Sequence, residues 1–372
     1  MPALSRTDNS VVGRWWWTVD KWTLLALLLL AAAGMMMTMA ASPSVAVKLG
    51  LNPQYFVVRH AMFLPLALAT MLTISTLSLK NVRRLALAVF LAALAMMAMT
   101  VMIGVEVKGA ARWIDFGSFS IQPSEFVKPA FVVLTAWLLA PRPFNKEIPG
   151  AAICTLIFTI VVALLLAQPD VGQAGVVAAV WLAQWFLAGL SIAWIGGSAV
   201  LGGLSMVGAY FAFPHVALRI DRFVDPNADT SYQVERAMQA FMSGGYTGQG
   251  PGEGVIKASI PDIHTDTILA AAAEEFGLIA TLTIVTLFAF IVLRGFYRLF
   301  SEHNVFVTLA GFGLLVQFGL QALINMGSTL NLIPTKGMTL PFMSYGGSSL
   351  LAMSFGMGML LALTRRRVGE AE

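Results

Sequence analysis

The chain has 372 residues, of which 58% are hydrophobic and only 11% are charged, and its net charge is +4. Soluble globular proteins carry about 25% charged residues, so this composition excludes a soluble enzyme, a disordered tail protein and a nucleic-acid reader. The one cysteine, Cys154, excludes a disulfide framework and a cysteine-based metal cluster. Because Cys154 lies in an apolar run, we expect it to be a packing residue.

Apolar runs predict an all-α integral membrane protein of about ten helices, which form one membrane domain over residues 1–372. No signal peptide is expected, because the first apolar run has no convincing cleavage site. The fourth and tenth spans are short and contain Pro or Gly. The predicted spans are 22–40, 59–78, 85–103, 124–140, 148–167, 171–189, 192–213, 268–293, 305–325 and 347–363.

Basic residues set the predicted orientation. If both termini lie on one side, that side holds more than half of the 23 Lys and Arg residues, on very short segments. The positive-inside rule therefore predicts a cytoplasmic N-terminal tail over 1–21 and a cytoplasmic C-terminal tail over 364–372. Trp15, Trp16 and Trp17 fit an interfacial aromatic anchor in the first tail.

A large extracytoplasmic loop, 215–267, joins the seventh and eighth spans. It is rich in charged residues, has apolar residues at helical spacing, and contains the glycine-rich segment GGYTGQGPGEG. Long loops in compact proteins are usually functional or disordered. We therefore expect chemistry or docking at the outer membrane surface. The glycines either allow the loop to move during translocation of a product or reflect plain loop flexibility.

The strongest local signal is the segment 260–279, which leads from this loop into the eighth span. Asp262, His264 and Asp266 alternate just outside the lipid. A carboxylate at a membrane boundary can act as a general base, because partial desolvation raises its pKa. The alternative is helix capping by Thr265 or Asp266. His264 has no second histidine at ligand spacing, so a structural zinc site is not expected.

A second constellation lies in 108–129. Arg112, in a Gly/Ala-rich exterior loop, suits an anion such as a lipid phosphate. Gln122 precedes the fourth span, and Glu125 and Lys128 follow three residues apart on one helix face. Intramembrane charges suggest function, but a structural ion pair lining a cavity is the favoured interpretation for Glu125 and Lys128.

A third motif, AQPDVGQ at 167–173, forms a polar hairpin between two spans. Asp170 and Gln173 are predicted to face outside. The alternative is a tight turn built on Pro169 and Gly172, and the spacing does not decide between the two.

A fourth segment, 324–349, is unusually polar for a connection between two spans. Irregular backbone at membrane depth is tolerated only where it is buried in protein or lines a water-filled cavity. We therefore predict a cavity open to the outer face. Lys336 in this segment either neutralises an anionic headgroup or extends along the membrane to water.

Taken in order, these segments resemble the SEDS family of shape, elongation, division and sporulation proteins over nearly the whole chain. The final segment is similar to the division-type members rather than to the elongation type. Two positions depart from the family pattern: Gln173, where Thr often stands, and Asp262, where Glu is usual. The matching segments are GAARWI, QPSEFVK, QPDVG, GGYTGQGPGEG, IPDIHTD with the following EEFG, and PTKGMTLPFMSYGGSS.

The resemblance implies a peptidoglycan glycosyltransferase that polymerises lipid II, the undecaprenyl-pyrophosphate-linked disaccharide pentapeptide, at the outer face of the cytoplasmic (inner) membrane at the division septum. The family's essential acid falls on Asp266. The implied partners are a class B penicillin-binding protein, for division-type members the transpeptidase FtsI, and other divisome membrane proteins.

The chemistry needs a base for the acceptor hydroxyl, which we assign to Asp266, and cations for the pyrophosphate leaving group. A divalent cation, Mg²⁺ or Mn²⁺, is expected with the pyrophosphate, and no organic cofactor is expected. The predicted substrate-binding residues are Arg112, Gln122, Arg219, Lys257, Lys336 and Ser344.

Two other functions fit parts of the pattern. A lipid II flippase would use the intramembrane charges Glu125, Lys128 and Glu275, but it needs access from both faces, and the cytoplasmic loops are short. A non-catalytic divisome scaffold would tolerate replacement of Asp266 without loss of strand synthesis.

Overall fold

The computed structural model describes residues 10–107, 110–117, 119–141, 149–224, 231–334 and 337–366. Within these ranges, ten helices follow the ten predicted spans in chain order. They are α2 (Lys21–Lys48), α3 (Tyr55–Ser75), α4 (Leu79–Ile103), α5 (Pro123–Leu139), α6 (Gly150–Ala167), α7 (Val171–Leu187), α8 (Ile192–Ala212), α11 (Ile268–Leu299), α12 (Val305–Thr329) and α13 (Gly347–Leu363). The remaining helices are α1 (Val11–Thr18), α9 (Pro214–Val224) and α10 (Ser231–Gly244), and one 3-10 turn covers Ile256–Ser259.

The lengths of these helices confirm the all-α membrane fold. Seven of the described helices are long and apolar enough to cross a membrane, and α7 and α13 are shorter apolar helices. As predicted, the fourth and tenth spans are short, with 17 residues in each of α5 and α13. Helix α2 extends beyond its predicted end through Pro43 to Lys48, and α11 extends to Leu299. Both extensions carry basic side chains, so a prediction from hydropathy ends the span before them. The helices nevertheless continue, because long basic side chains at a helix end can reach water.

A small antiparallel sheet stands where the sequence predicted only a loop. In the described part of that region, β1 (Val105–Val107) pairs with β2 (Ala110–Asp115), and β2 pairs with β3 (Ser120–Ile121). These strands have three, six and two residues, and strands this short give little signal in a sequence. The sheet carries Arg112 on its middle strand and leads directly into α5.

Helix α13 is the centre of the bundle. Its side chains are buried over almost the whole length from Ser348 to Leu363, and α3, α5 and α12 pack around it. Helix α8 is the opposite case, because it packs mainly on α7 and α9 and is exposed over most of its apolar length. Cys154 is fully buried against Trp181, which confirms its prediction as a packing residue.

Both described termini lie at one end of the bundle, which we call the basic end (α1, the α3–α4 and α11–α12 turns, and the end of α13). There Asp20, 2% exposed, caps α2 and binds Arg294 through two hydrogen bonds of 2.8 Å. Arg298 adds a contact of 3.1 Å to the same carboxylate. Burial by itself raises the pKa of Asp20, but hydrogen bonds from Arg294 and Thr23 and the charge of Arg298 hold that pKa below its usual range. This pair fixes the start of α2 to the end of α11.

Helix α11 is broken at Gly277, and the glycine-rich segment docks into the break. Gly277 has φ 76° and ψ −175°. The amides of Leu278 and Ile279 donate to the carbonyls of Gly245 and Tyr246 at 2.9 and 3.2 Å. In the other direction, the amides of 249 and 250 donate to the carbonyls of 274 and 275 at 2.9 and 3.0 Å. Gly244 and Gly248 therefore allow close approach of the segment to the backbone of α11, whereas movement of the loop and plain flexibility stay predictions for the segment as a whole.

Replacement of Gly277 tests this docking. A Cβ atom there would lie 2.3 Å from the backbone nitrogen of Gly248, and the backbone region is almost exclusive to glycine. We expect Gly277→Ala to lower the free energy of unfolding by about 3 kcal/mol, measured by thermal or denaturant unfolding in detergent. The control is Gly196→Ala in α8, where nothing lies within 4 Å of the new atom. Equal stability of the two variants would contradict the docking.

Candidate active site

Asp266 lies in a tight turn at the end of the bundle opposite the basic end. Asp262 has φ 51°, and its carbonyl accepts hydrogen bonds from the amides of Thr265 and Asp266 at 3.0 and 3.1 Å. Helix α11 begins after Thr267, which makes no side-chain capping bond. The prediction that Thr265 or Asp266 caps this helix is therefore wrong, because the turn ends one residue later. The side chain of Asp266 is half-buried, as a base at a membrane boundary requires.

A fully buried amide, Asn325, joins this turn to the polar segment before α13. Its Nδ2 atom donates to the carbonyl of Asp266 at 2.8 Å and to the carbonyl of Met338 at 2.6 Å. Beside it, Gly337 has φ 62°, and a Cβ atom on this residue would lie 3.4 Å from Oδ2 of Asp266. The segment that starts at 337 thus passes directly along the carboxylate. Because these two parts are distant in sequence, only the fold brings them together.

An aromatic cluster covers the other side of the turn. The ring of His264 lies 4.5 Å from that of Phe56 and 5.4 Å from that of Tyr345, centroid to centroid. The amide of Tyr345 donates to the carbonyl of His264 at 2.8 Å. Burial raises the pKa of Tyr345, and a hydrogen bond from Arg59 opposes this rise. In the described part of the chain, no group of three or more His, Cys, Asp or Glu side chains could hold a metal ion.

Arg59 is a site residue that the sequence reasoning missed. It lies near the start of α3, half-buried, with its guanidinium 4.9 Å from the ring centroid of Tyr55. The signal that could have found it is a single cation at the first turn of an apolar span, beside an aromatic residue. Its hydrogen bond to Tyr345 places a positive charge near the Asp266 turn.

A buried polar network starts where the 337–346 segment meets α12. Gln321 donates from Nε2 to the carbonyl of Thr339 at 3.2 Å, and its Oε1 accepts from Lys128 at 3.3 Å. The Nζ atom of Lys128 also donates to Glu125 at 3.0 Å and to Gln173 at 2.8 Å. The ion pair predicted between Glu125 and Lys128 is therefore present. Its partners on two other helices show that it ties α5, α7 and α12 together.

The network continues through Asp170 to Arg112. Asp170 caps α7 by accepting from the amide of Gln173 at 3.3 Å, and its Oδ2 lies 3.4 Å from Nε of Arg112. Asp170 and Gln173 are only 5% and 6% exposed, so both are buried in the protein, and their predicted position on the outer side of the membrane stays a prediction. The sheet and the fold of the hairpin cover them. Burial raises the pKa of Asp170, and the charge of Arg112 opposes the rise.

Arg112 is held by the hairpin but remains accessible. Its Nη2 atom donates to the carbonyl of Pro169 at 2.7 Å, and 21% of its side chain is exposed. The hairpin thus takes up part of the hydrogen-bonding capacity of the guanidinium. Binding of an anion by Arg112 stays a prediction, which the remaining exposure permits.

Lys257 is enclosed by two glutamates of α11. The amides of Ile256 and Lys257 each donate to the carboxylate of Glu274 at 2.7 Å, and Nζ of Lys257 pairs with Glu275. Burial lowers the pKa of Lys257, and the charges of Glu274 and Glu253 oppose this effect. Since its charge is already compensated, contact between Lys257 and a substrate pyrophosphate would require this pair to open, and that role stays a prediction.

The other predicted substrate-binding residues differ in position. Ser344 is buried, and its hydroxyl accepts from the amide of Leu340 at 2.9 Å, so it supports the turn. Gln122 is half-buried at the start of α5 and makes no side-chain capping bond. Lys336 and the side chain of Arg219 lie outside the described residues, although the backbone of 219 belongs to α9.

The four polar motifs of the sequence thus meet at one end of the bundle, around Asp266 and a buried network that reaches Arg112. A family model described as cell cycle protein, covering FtsW, RodA and SpoVE, matches residues 21–368. The chain belongs to this family. The predicted resemblance to the SEDS family is confirmed.

Relatives and solved structures agree with this membership. A protein of Caulobacter vibrioides named "Probable peptidoglycan glycosyltransferase FtsW" is 46% identical over 99% of this chain and 94% of its own length. A protein of Geobacter metallireducens with the same name is 34% identical over 82% of this chain and 84% of its own length. These relatives bear out the prediction of division-type similarity.

The chain is also similar to solved structures. One is a chain of a peptidoglycan synthase complex, described as coordinating polymerization and crosslinking. It aligns with TM-score 0.77 and 26% identity, over 93% of this chain and 97% of that one. The rod shape determining protein RodA of Thermus thermophilus aligns with TM-score 0.67 over 93% of this chain and 96% of its own, at 24% identity, and shows the same fold.

The Lys128 network gives a stability prediction. Lys128→Met leaves Glu125 charged and buried, so we expect the free energy of unfolding to fall by about 3–5 kcal/mol. The double variant Lys128→Met with Glu125→Leu removes both charges and should recover most of this loss. Unfolding in detergent measures both, with the exposed Lys80→Met as a control within about 0.5 kcal/mol of the parent. A double variant as unstable as Lys128→Met would contradict charge compensation as the cause.

Proposed function

We propose that the chain polymerises lipid II into glycan strands at the outer face of the cytoplasmic membrane, with Asp266 as the general base. The observation that carries this proposal is the position of Asp266. It lies half-buried at the bundle end where the four polar motifs converge, against the segment that Asn325 holds beside it. The peptidoglycan glycosyltransferase names of the relatives support the same activity.

In the proposed step, the hydroxyl oxygen of an acceptor sugar attacks the anomeric carbon of the donor. The bond between that carbon and the pyrophosphate oxygen breaks, and the lipid pyrophosphate leaves with the electron pair. The carboxylate of Asp266 takes the hydroxyl proton, which typically contributes about 10²–10⁴ in rate. One direct displacement inverts the donor's anomeric centre, from α to β, without a covalent intermediate on the enzyme.

Departure of the pyrophosphate requires positive charge. Arg112, whose side chain is 21% exposed, is one candidate for this role, and Arg59 is a further source of positive charge near the turn. Lys257 would act after release from Glu275, and Arg219 and Lys336 remain candidates from the sequence. A divalent cation, Mg²⁺ or Mn²⁺, would be held mainly by the pyrophosphate itself.

The proposed setting is the division septum, with the basic end in the cytoplasm by the positive-inside rule. The Asp266 end then faces outward, where the acceptor strand grows. The proposed partner is a class B penicillin-binding protein of the FtsI type, which would cross-link the new strand, together with other divisome membrane proteins. The solved synthase complex that coordinates polymerization and crosslinking supports this pairing.

Replacement of Asp266 tests the assignment of the base. Asp266→Asn keeps the shape of the side chain but cannot take the proton, so we expect strand synthesis from purified lipid II to fall by about 10²–10⁴. Glycan length on gels is the readout, with the purified complex of chain and transpeptidase. The matched control is Asp262→Asn, because asparagine tolerates the left-handed backbone at 262, and we expect it to keep most activity.

Two further readouts separate the rival functions. We expect Asp266→Asn to fold and to co-purify with the transpeptidase as the parent does. Long strands made by Asp266→Asn would overturn the base assignment and favour a scaffold. Transport of lipid II between leaflets of a vesicle by the parent, without any polymer, would favour a flippase.

Removal of divalent cations tests the metal proposal. We expect a chelator to abolish strand synthesis and Mg²⁺ or Mn²⁺ to restore it. Since no described cluster of side chains could hold a metal, added cation should not raise the unfolding temperature of the chain without lipid II. Stabilisation of the substrate-free chain by the cation would show instead a protein-held metal.

A further inference from the structure

A large cavity lies at the basic end, far from the Asp266 turn along the bundle. Its volume is about 1520 Å³. It opens between the α3–α4 turn, the end of α5, the α11–α12 turn and the residues that follow α13. The mechanism proposed above makes no use of this cavity.

Positive charge dominates the cavity wall. Among the lining residues that the structure describes, six side chains are cationic and only that of Glu302 is acidic. Beneath the wall, the buried carboxylate of Asp20 compensates part of the charge of two arginines. An excess of positive charge therefore faces the cavity. The six lining cations are Lys80, Arg83, Arg294, Arg298, Arg365 and Arg366.

Several of these cations are fixed in place by protein contacts. Arg298 donates to the carbonyl of Thr364 at 2.7 Å, and Arg365 donates to the carbonyl of Thr76 at 3.0 Å. The guanidinium of Arg83 lies 4.6 Å from the ring centroid of Phe306. Arginines oriented in this way form a prearranged site for a phosphate group, because little side-chain freedom is lost on binding.

Two cations at the cavity are exposed and uncompensated within the described ranges. Lys80 stands in the first turn of α4, and Arg366 follows α13. Neither forms a salt bridge with a described acid. Their charges are available to a ligand.

The cavity wall also contains aromatic and aliphatic side chains. Tyr297, which is 75% exposed, and Val305, which is 46% exposed, line it together with Trp137. Aromatic side chains at this level are typical of the membrane–water interface. A ligand that combines an anionic head with acyl chains matches both parts of the wall, whereas a free anion would use only one.

We propose that this cavity binds the phosphate headgroup of an anionic phospholipid, with its acyl chains against the exposed aromatic and aliphatic side chains beside the cavity. Basic cavities between membrane helices on the cytoplasmic side are a known mode of headgroup binding. The lipid would bridge α4, the α11–α12 turn and the end of α13, and so add to the contacts that Arg83, Arg298 and Arg365 already make between these elements.

Lipid retention by variants tests the proposal. The full chain is purified in detergent with equal amounts of phosphatidylglycerol and phosphatidylcholine, and the bound lipids are counted by native mass spectrometry. In the double variant Lys80→Gln with Arg366→Gln, we expect the ratio of retained phosphatidylglycerol to phosphatidylcholine to fall about tenfold. The single variant Lys80→Gln should show a smaller fall, of about threefold.

The matched control removes two cations from the same end but outside the cavity. Arg14 and Arg84 are exposed and do not line it, so Arg14→Gln with Arg84→Gln should keep the ratio of the parent. The charge-conserving pair Lys80→Arg with Arg366→Lys should also keep it. An equal fall in the control variant would overturn the proposal in favour of general surface charge.

Soluble glycerol phosphate separates a lipid site from a free-phosphate site. We expect it not to displace the retained phosphatidylglycerol, because it lacks acyl chains. Displacement at equal concentration would overturn the lipid assignment.

Discussion

The charge on Lys128 must be compensated by protein groups, because the hydrocarbon region offers no water. Lys128 is 2% exposed and reaches Glu125, Gln173 and Gln321. These partners lie on α5, α7 and α12, so the requirement fixes how three helices face one another. Through the amide of Gln321 it also fixes Thr339, and thus the segment that passes Asp266. The position of the end that carries Asp266 therefore depends on a charge inside the bundle.

The buried network around Lys128 holds its side chains in place, while its ends remain accessible to a ligand. At its inner part every described partner is buried, whereas its two ends, Arg112 and the Asp266 turn, are partly accessible. Side chains held by other side chains keep their geometry when a substrate arrives, and such preorganisation lowers the cost of reaching the transition state. Asn325 supplies the same support for the backbone, because one amide nitrogen holds two segments that are far apart in sequence.

The sequence predicted what depends on local pattern. The ten spans follow from the length of apolar runs, and the pairing of Glu125 with Lys128 follows from their three-residue spacing on one helix. What depends on packing was not predictable in the same way. The burial of Asp170 and Gln173 was not predicted, since nothing local shows that a sheet and neighbouring helices cover them. The compensation of Lys257 by Glu275 likewise requires a long loop to fold back onto α11.

The break at Gly277 couples the long loop between α8 and α11 to the membrane bundle more tightly than a chain connection does. Backbone hydrogen bonds run in both directions between the glycine-rich segment and the two sides of the break. An exchange of this loop between relatives would therefore carry over its geometry only if the first turns of α11 were exchanged with it. Grafts that end at the helix boundary would leave carbonyls without their amide partners, so the smallest transferable module includes the start of that helix.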